Sequence, residues 1–273
     1  MKRLGNIAAQ TAMAAILAFA LLPWLWMLLS SLRPDADLTA NPVRLMPTGL
    51  TLANHIELLR RTSFAENLRD SLIVATGAVT LGLALALPAA YAFSRYRFPG
   101  RGALRITFLV VNMFPVVLLI LPLFLLMRRL GLIDTYFALI GGHATFTLPF
   151  AIWLLTSYVD SIPASLDEAA AIDGATLPQI VIHVILPLAL PGVVAVATYL
   201  FIASWNEYLF ALMLGGRDVR TVTVALQLFI GENAIQWGLL MAAGSLVALP
   251  ATMLFLLAQR RLAGGLTGGA VKG

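Results

Sequence analysis

The stretch Ile73-Val-Ala-Thr-Gly-Ala-Val-Thr-Leu-Gly-Leu-Ala-Leu-Ala-Leu87 carries no charge and shows no alternation of polar and apolar positions. Apolarity that continuous excludes a membrane β-barrel, whose strands of about ten residues alternate in polarity. It fits a helix surrounded by apolar matter on every side. The rest of the chain repeats the pattern. Of 273 residues, 60% are hydrophobic and only 11% charged, with a mean hydropathy of +0.90. A soluble domain has about a quarter of its residues charged, so a water-soluble globule and a disordered chain are both excluded. No cysteine is present, which removes disulfide frameworks, thiol nucleophiles and cysteine metal sites.

Six runs lack Asp, Glu, Lys and Arg, and the shortest, 106–127, has 22 residues. A helix needs about 20 apolar residues to cross a hydrocarbon layer about 30 Å thick. The sequence therefore predicts an all-α, polytopic membrane protein. Its six transmembrane helices are placed at about 8–31, 69–93, 105–127, 137–158, 187–214 and 238–259, in one domain spanning 1–273. The first run follows Lys2 and Arg3 as a signal peptide would, but it is too long for a cleaved segment and lacks a small-residue cleavage site. It reads as a retained span.

Six spans put both termini on one side. Lys and Arg do not assign that side by number, since nine fall on each. Their density does favour one side, because Arg95, Arg97, Arg101 and Arg105 crowd one short loop and Arg260-Arg261 adjoin the last span. Positive residues near span ends mark the cytoplasmic face, so both termini are expected in the cytoplasm. The pI near 10 then reflects membrane edges, not nucleic-acid binding.

Segments 32–68, 159–186 and 215–237 are long enough to do work outside the bilayer. The middle one differs from the others, with four acidic residues and no Lys or Arg. Ser165 and Glu168 stand at the spacing of a capping box, and Asp167 and Glu168 suit the positive end of a helix dipole. Gly174 is placed to stop that helix in a left-handed conformation. Thr176, Pro178 and Gln179 then start a second helix. The expectation is a polar helical elbow, on the same side as the termini, suited to docking. Read alone, Ser165 and Glu168 would simply cap a surface helix.

The spacing across the elbow is more specific. Glu168-Ala169-Ala170, three residues, Gly174, nine residues, Val184, one residue and Leu186-Pro187 resemble the EAA motif of permease subunits of ABC importers, E-A-A-x3-G-x9-I-x-L-P, with Val184 in place of Ile. Tyr91-Ala-Phe-Ser-Arg-Tyr-Arg-Phe-Pro-Gly100, Gly131-Leu-Ile-Asp-Thr-Tyr136, Trp205-Asn-Glu-Tyr-Leu-Phe-Ala-Leu212 and Gly265-Leu-Thr-Gly-Gly-Ala-Val-Lys-Gly273 are similar to maltose-type carbohydrate permeases, the tail to the shorter member of the pair. The resemblance runs from about residue 20 to the end. It implies a type I ABC importer permease in a bacterial inner membrane, forming a heterodimer with a second permease. Two ABC ATPase subunits and an extracytoplasmic sugar-binding protein would complete the assembly. It assigns Ser165, Asp167, Glu168, Ala169, Ala170, Gly174, Leu186 and Pro187 to coupling with the ATPase, and Val271, Lys272 and Gly273 to a tail contact with it. The cargo would be a di- or oligosaccharide or related sugar.

Other residues carry weaker signals. Trp205, Asn206 and Glu207 lie late in the fifth span, where an acidic group is either on the translocation path or at the interface. His143 has no second His or carboxylate at helical spacing and reads as a structural polar contact. Trp24, Trp26 and Trp153 fit interfacial belts or helix packing, and Gly82, Ala86 and Ala90 form a small-residue stripe for close packing. The chain contains no G-x-x-x-x-G-K-[ST], H-E-x-x-H or G-x-S-x-G. No enzyme activity, bound cofactor or metal is therefore expected, and ATP and Mg would belong to the partner. The alternative is a secondary transporter or channel for a small polar solute. Such proteins place several charges near mid-membrane, and five of the six spans have none.

Overall fold

The computed structural model describes residues 2–40, 46–231 and 235–269, so the expected tail contact of Val271, Lys272 and Gly273 lies outside the described residues. In chain order the helices are α1 (Lys2–Ser31), α2 (Asp35–Leu38), α3 (Ala53–Arg61), α4 (Phe64–Arg95), α5 (Arg101–Met113), α6 (Ile120–Arg129) and α7 (Tyr136–Asp160). They continue with α8 (Ser165–Ile172), α9 (Leu177–Gln179), α10 (Leu186–Leu188), α11 (Leu190–Trp205), α12 (Leu209–Leu214), α13 (Val222–Gln227) and α14 (Trp237–Gly269). A 3-10 turn, Val116–Leu119, precedes α6, and a π-helical stretch, Ile180–Ile185, joins α9 to α10.

Four unbroken helices are long and apolar enough to cross a membrane, and two bent helix pairs bring the number to six. The number six is thus reached only when each bent pair counts as one span, and two of the expected spans are not the continuous rods the uncharged runs implied. The third, expected at 105–127, breaks at Phe114, whose ψ of 132° is extended, and its halves diverge by 99°. Pro115 is the cause, because a proline disfavours helical geometry in the residue before it. The fifth, expected at 187–214, bends by 85° at Ala189 between Pro187 and Pro191, which together remove two backbone donors from the helical ladder. It is interrupted again at Asn206–Tyr208 before α12. Pro23, Pro88, Pro149 and Pro250 sit inside helices that stay whole.

The chain divides into two compact units, Met1–Glu66 with Ala225–Pro250, and Asn67–Val224 with Ala251–Gly273. In the first, α1 keeps most of its large apolar side chains exposed, Phe19 at 84%, and is tied down at its C-terminal end. Asn54 of α3 donates to the carbonyls of Ser31 and Arg33 at 3.1 and 2.8 Å. The buried Arg33 guanidinium stacks over Trp26 at 4.9 Å. Asp37 accepts from the backbone and hydroxyl of Thr48 at 2.7 and 2.8 Å. Asp35 accepts from the Gly238 N–H at the start of α14, where a carboxylate suits the helix dipole.

Among the described residues of the second unit, two apolar clusters stand out. One gathers Ala86, Ala90, Leu155, Val159, Ile185, Val196 and Leu200 from α4, α7, the π stretch and α11. The small-residue stripe serves this packing: Ala86 and Ala90 are fully buried, and a Cβ on Gly82 would come within 2.8 Å of Leu200. The other cluster joins Val74, Leu123, Met127, Leu139, Phe210 and Leu214.

Candidate functional site

Three polar constellations stand out in the second unit. The first is the elbow. Ile172 ends α8, and Gly174 follows with a φ of 83°, the left-handed stop expected from the sequence. Ala175 donates to the Ala170 carbonyl and Gly174 to that of Ala171, both at 3.0 Å, which is a Schellman closure. At the next helix start, the Gln179 Oε1 accepts from the Thr176 backbone at 2.7 Å and from its hydroxyl at 2.8 Å.

The expected capping box of Ser165 and Glu168 does not form. Helix α8 begins one residue earlier than a Ser165 cap requires, with Ala164 at the cap position and no side-chain cap bond. The turn at Pro163 starts the helix instead, and Asp167 and Glu168 both donate their backbone N–H to the Ala164 carbonyl. Ser165 is thereby an exposed first-turn residue.

Asp167 and Glu168 point to different surroundings. Asp167 is buried and receives Arg95 Nε at 2.6 Å, with the two side chains 11% and 12% exposed. Glu168 and Ala169 are exposed, Leu166 is 41% exposed and Ile172 87%. At a spacing of three residues, Leu166, Ala169 and Ile172 make an apolar strip next to the Glu168 carboxylate. Ala170 and Leu186 are half-buried against the unit, and Pro187 is exposed. Nearby, Arg105 donates to Asp160 at 3.0 Å.

The second constellation surrounds the break before α12. His143 is fully buried, with Nδ1 2.6 Å from the Ser204 hydroxyl and Nε2 3.6 Å from Glu207. The structure therefore supplies the carboxylate that spacing along α7 did not reveal, because Glu207 reaches His143 from another helix. Glu207 also accepts the Ala211 N–H at 3.1 Å, and its carbonyl accepts the Thr223 hydroxyl at 2.7 Å. Trp205 is buried and stacks on Phe201 with ring centroids 5.4 Å apart. Asn206 is exposed and donates to the Ile202 carbonyl. The three residues are adjacent in sequence but do not converge on one space.

The third constellation fastens the loop after α12. Asp134 has a φ of 63°, and its carboxylate accepts the backbone N–H groups of Arg217, Asp218 and Val219 at 2.8, 3.0 and 2.9 Å. Asp70, buried on α4, accepts the Tyr136 hydroxyl at 2.8 Å. The Ser71 hydroxyl accepts the Val222 N–H at 2.8 Å, and Asn67 donates to the Arg220 carbonyl. Burial raises the Asp134 pKa, but the three N–H donors outweigh it and hold the carboxyl below its ordinary 3.8. A lowered pKa adds stability that is present above the ordinary value and lost as pH falls through the native one. Asp134→Asn should thus lower thermal stability by about 2 kcal/mol at neutral pH, since bonds to a charged acceptor exceed those to a neutral one. The gap between variant and wild type should narrow below pH 3.8; a pH-independent gap in thermal melts would refute the charge argument.

Residues 78–267 match the family model described as "Binding-protein-dependent transport system inner membrane component". The chain belongs to that family. Among its relatives, the "Inner membrane ABC transporter permease protein YcjP" of Escherichia coli (strain K12) is 35% identical over 275 residues, 100% of this chain and 98% of that one. The "Trehalose/maltose transport system permease protein MalG" of Thermococcus litoralis is 36% identical over 277 residues, again 100% and 98%. A chain from the crystal structure of a bacterial ABC transporter involved in the import of the acidic polysaccharide alginate superposes with a TM-score of 0.81 at 26% identity, covering 94% of this chain and 96% of the other. This inner-membrane component is therefore a multi-pass ABC-type permease and a transport subunit, as the elbow motif and the six spans led us to expect.

Sequence reasoning missed the partners of Arg95, Asp134 and Asp70. Each lay in or next to a stretch used for the resemblance or the span count, yet each binds a segment 66 to 85 residues away. Separations of that length leave no periodic signal.

Proposed function

We propose that the chain is the transmembrane subunit of an ATP-driven, binding-protein-dependent sugar importer, with its elbow as the handle on which a separate ATPase pulls. One observation carries this reading: an elbow whose outward strip and Glu168 are exposed while its base is bonded to the end of α4 through Arg95 and Asp167. Leu166 and Ile172 would enter an apolar cleft of the ATPase, Glu168 would meet a basic group there, and Gly174 permits the turn. ATP and Mg belong to that partner. Both termini lie in the cytoplasm with the elbow. A second, similar permease completes the path, and an extracytoplasmic binding protein delivers the sugar at the opposite mouth.

The cargo is a di- or oligosaccharide or a related sugar, a reading supported by the trehalose/maltose and alginate systems that the relatives' names specify. ATP binding closes the ATPase pair and draws the elbows together, which turns the path outward. Hydrolysis then resets it. To test this, the tagged chain is purified with the products of its neighbouring genes and reconstituted in liposomes. An ATPase should co-isolate, and sugar uptake should require both ATP and the binding protein. Uptake by the chain alone would instead establish a secondary carrier.

A further inference from the structure

Arg95 ends α4 and makes contact with three separate pieces of the second unit. Its Nε donates to Asp167 of α8 at 2.6 Å, Nη2 to the Ile162 carbonyl at 2.9 Å and Nη1 to the Val159 carbonyl at 3.3 Å. The last two acceptors lie at and just beyond the C-terminal end of α7, where helix carbonyls lack internal partners and a cation is favoured. One guanidinium thus holds together the end of α4, the end of α7 and the first turn of the elbow.

The covalent chain does not make that connection. Residues 161–164 link α8 to α7, but α4 lies 72 positions from Asp167. The other oxygen of Asp167, Oδ1, is buried outside hydrogen-bond geometry among the described residues; the Tyr91 hydroxyl faces the carboxylate but is neutral, so the charge compensation comes from Arg95. The planar guanidinium suits the task, because its Nε, Nη1 and Nη2 reach a carboxylate and two carbonyls from separate, fixed positions, whereas an ammonium directs its three donors from a single nitrogen.

We propose that Arg95 and Asp167 are the positioning pair that transmits elbow displacement to the spans. With the pair in place, a pull on α8 moves α4 and α7 together with it. With the pair cut, α8 yields at residues 161–164, and force passes through the peptide links to α7 and α9 and the packing of α8 on residues 180–185, but no longer directly to α4. Asp167 therefore serves the elbow from the inside, whereas Glu168 serves it from the outside. This inference rests on the elbow being the ATPase handle, and the test separates the two.

Asp167→Ala, Arg95→Gln, Arg95→Lys and Glu168→Lys are each made in the full transporter complex. ATPase co-isolation, ATP hydrolysis and sugar uptake are then measured in proteoliposomes. Asp167→Ala and Arg95→Gln should retain the ATPase but lower uptake per ATP hydrolysed by about tenfold or more, as the loss of a buried ion pair warrants. Arg95→Lys, which keeps the charge but not the fork, should fall between them and wild type. Glu168→Lys should lose the ATPase instead. Unchanged uptake per ATP in Asp167→Ala and Arg95→Gln would overturn the brace, and so would failure of those two complexes to assemble. Normal assembly and uptake in Glu168→Lys would overturn the elbow reading itself.

Discussion

Gly174→Val is expected to leave the spans folded and to lower sugar uptake by at least about tenfold, the effect of roughly 1.4 kcal/mol on the working geometry. The cause is the backbone, not crowding. Beyond Gly174 and its chain neighbours, no described atom lies within 4 Å of where a Cβ would stand, but the φ of Gly174 is 83°. A side chain in that region costs about 1–2 kcal/mol, and a branched one is a true outlier there. The strain is relieved if Gly174 leaves the left-handed region, which opens the Schellman closure and swings α8 relative to α9. Gly174→Asn supplies the control, since asparagine tolerates the left-handed region. It should retain most of the uptake. Equal uptake by the valine and asparagine variants in proteoliposomes would contradict the argument.

Gly192→Val should act on folding. A Cβ on Gly192 would come within 2.8 Å of the Tyr158 Cβ and even closer to its ring, so α11 crosses α7 with no room for a side chain. Tyr158 is poorly placed to yield, because the neighbouring Val159 is fully buried and its carbonyl is held by Arg95. Overpacking of this kind costs about 1–3 kcal/mol, and a lowering of the melting midpoint by about 5 °C or more is expected in detergent. Tyr158→Ala in the same chain should recover part of the loss. A midpoint unchanged by Gly192→Val would mean that the crossing is looser than the geometry requires.

What could be read in advance follows from the range of each interaction. The spans were visible because exclusion of charge from hydrocarbon acts on every residue of a run. Gly174 was visible because helix stops are local. The break at Phe114 was within reach, since Pro115 stood in the sequence. However, Pro23, Pro88, Pro149 and Pro250 sit in unbroken helices, and their surroundings decide the difference. The Ser165 cap failed for a related reason: Pro163 and Ala164 offered an earlier start, and Asp167 was committed to Arg95. The contacts of His143 with Glu207, of Asp134 with the 217–219 backbone and of Arg95 with Asp167 join distant segments. They appear only once the fold has brought those segments together.

The central claim is that this chain provides a path and a handle while another protein provides the energy. The sequence contains no cysteine, so one introduced on the elbow is the single reactive thiol of this chain. Ile172 is 87% exposed there, and Ile172→Cys keeps a small apolar surface at that position. In the assembled transporter, a short cross-linker with a thiol-reactive arm on this cysteine and a photoreactive arm that inserts into neighbouring bonds should capture the ATPase subunit, and the cross-link should block sugar uptake. Free labelling of the introduced thiol in active transporter with no ATPase captured, and with uptake undiminished, would contradict the account.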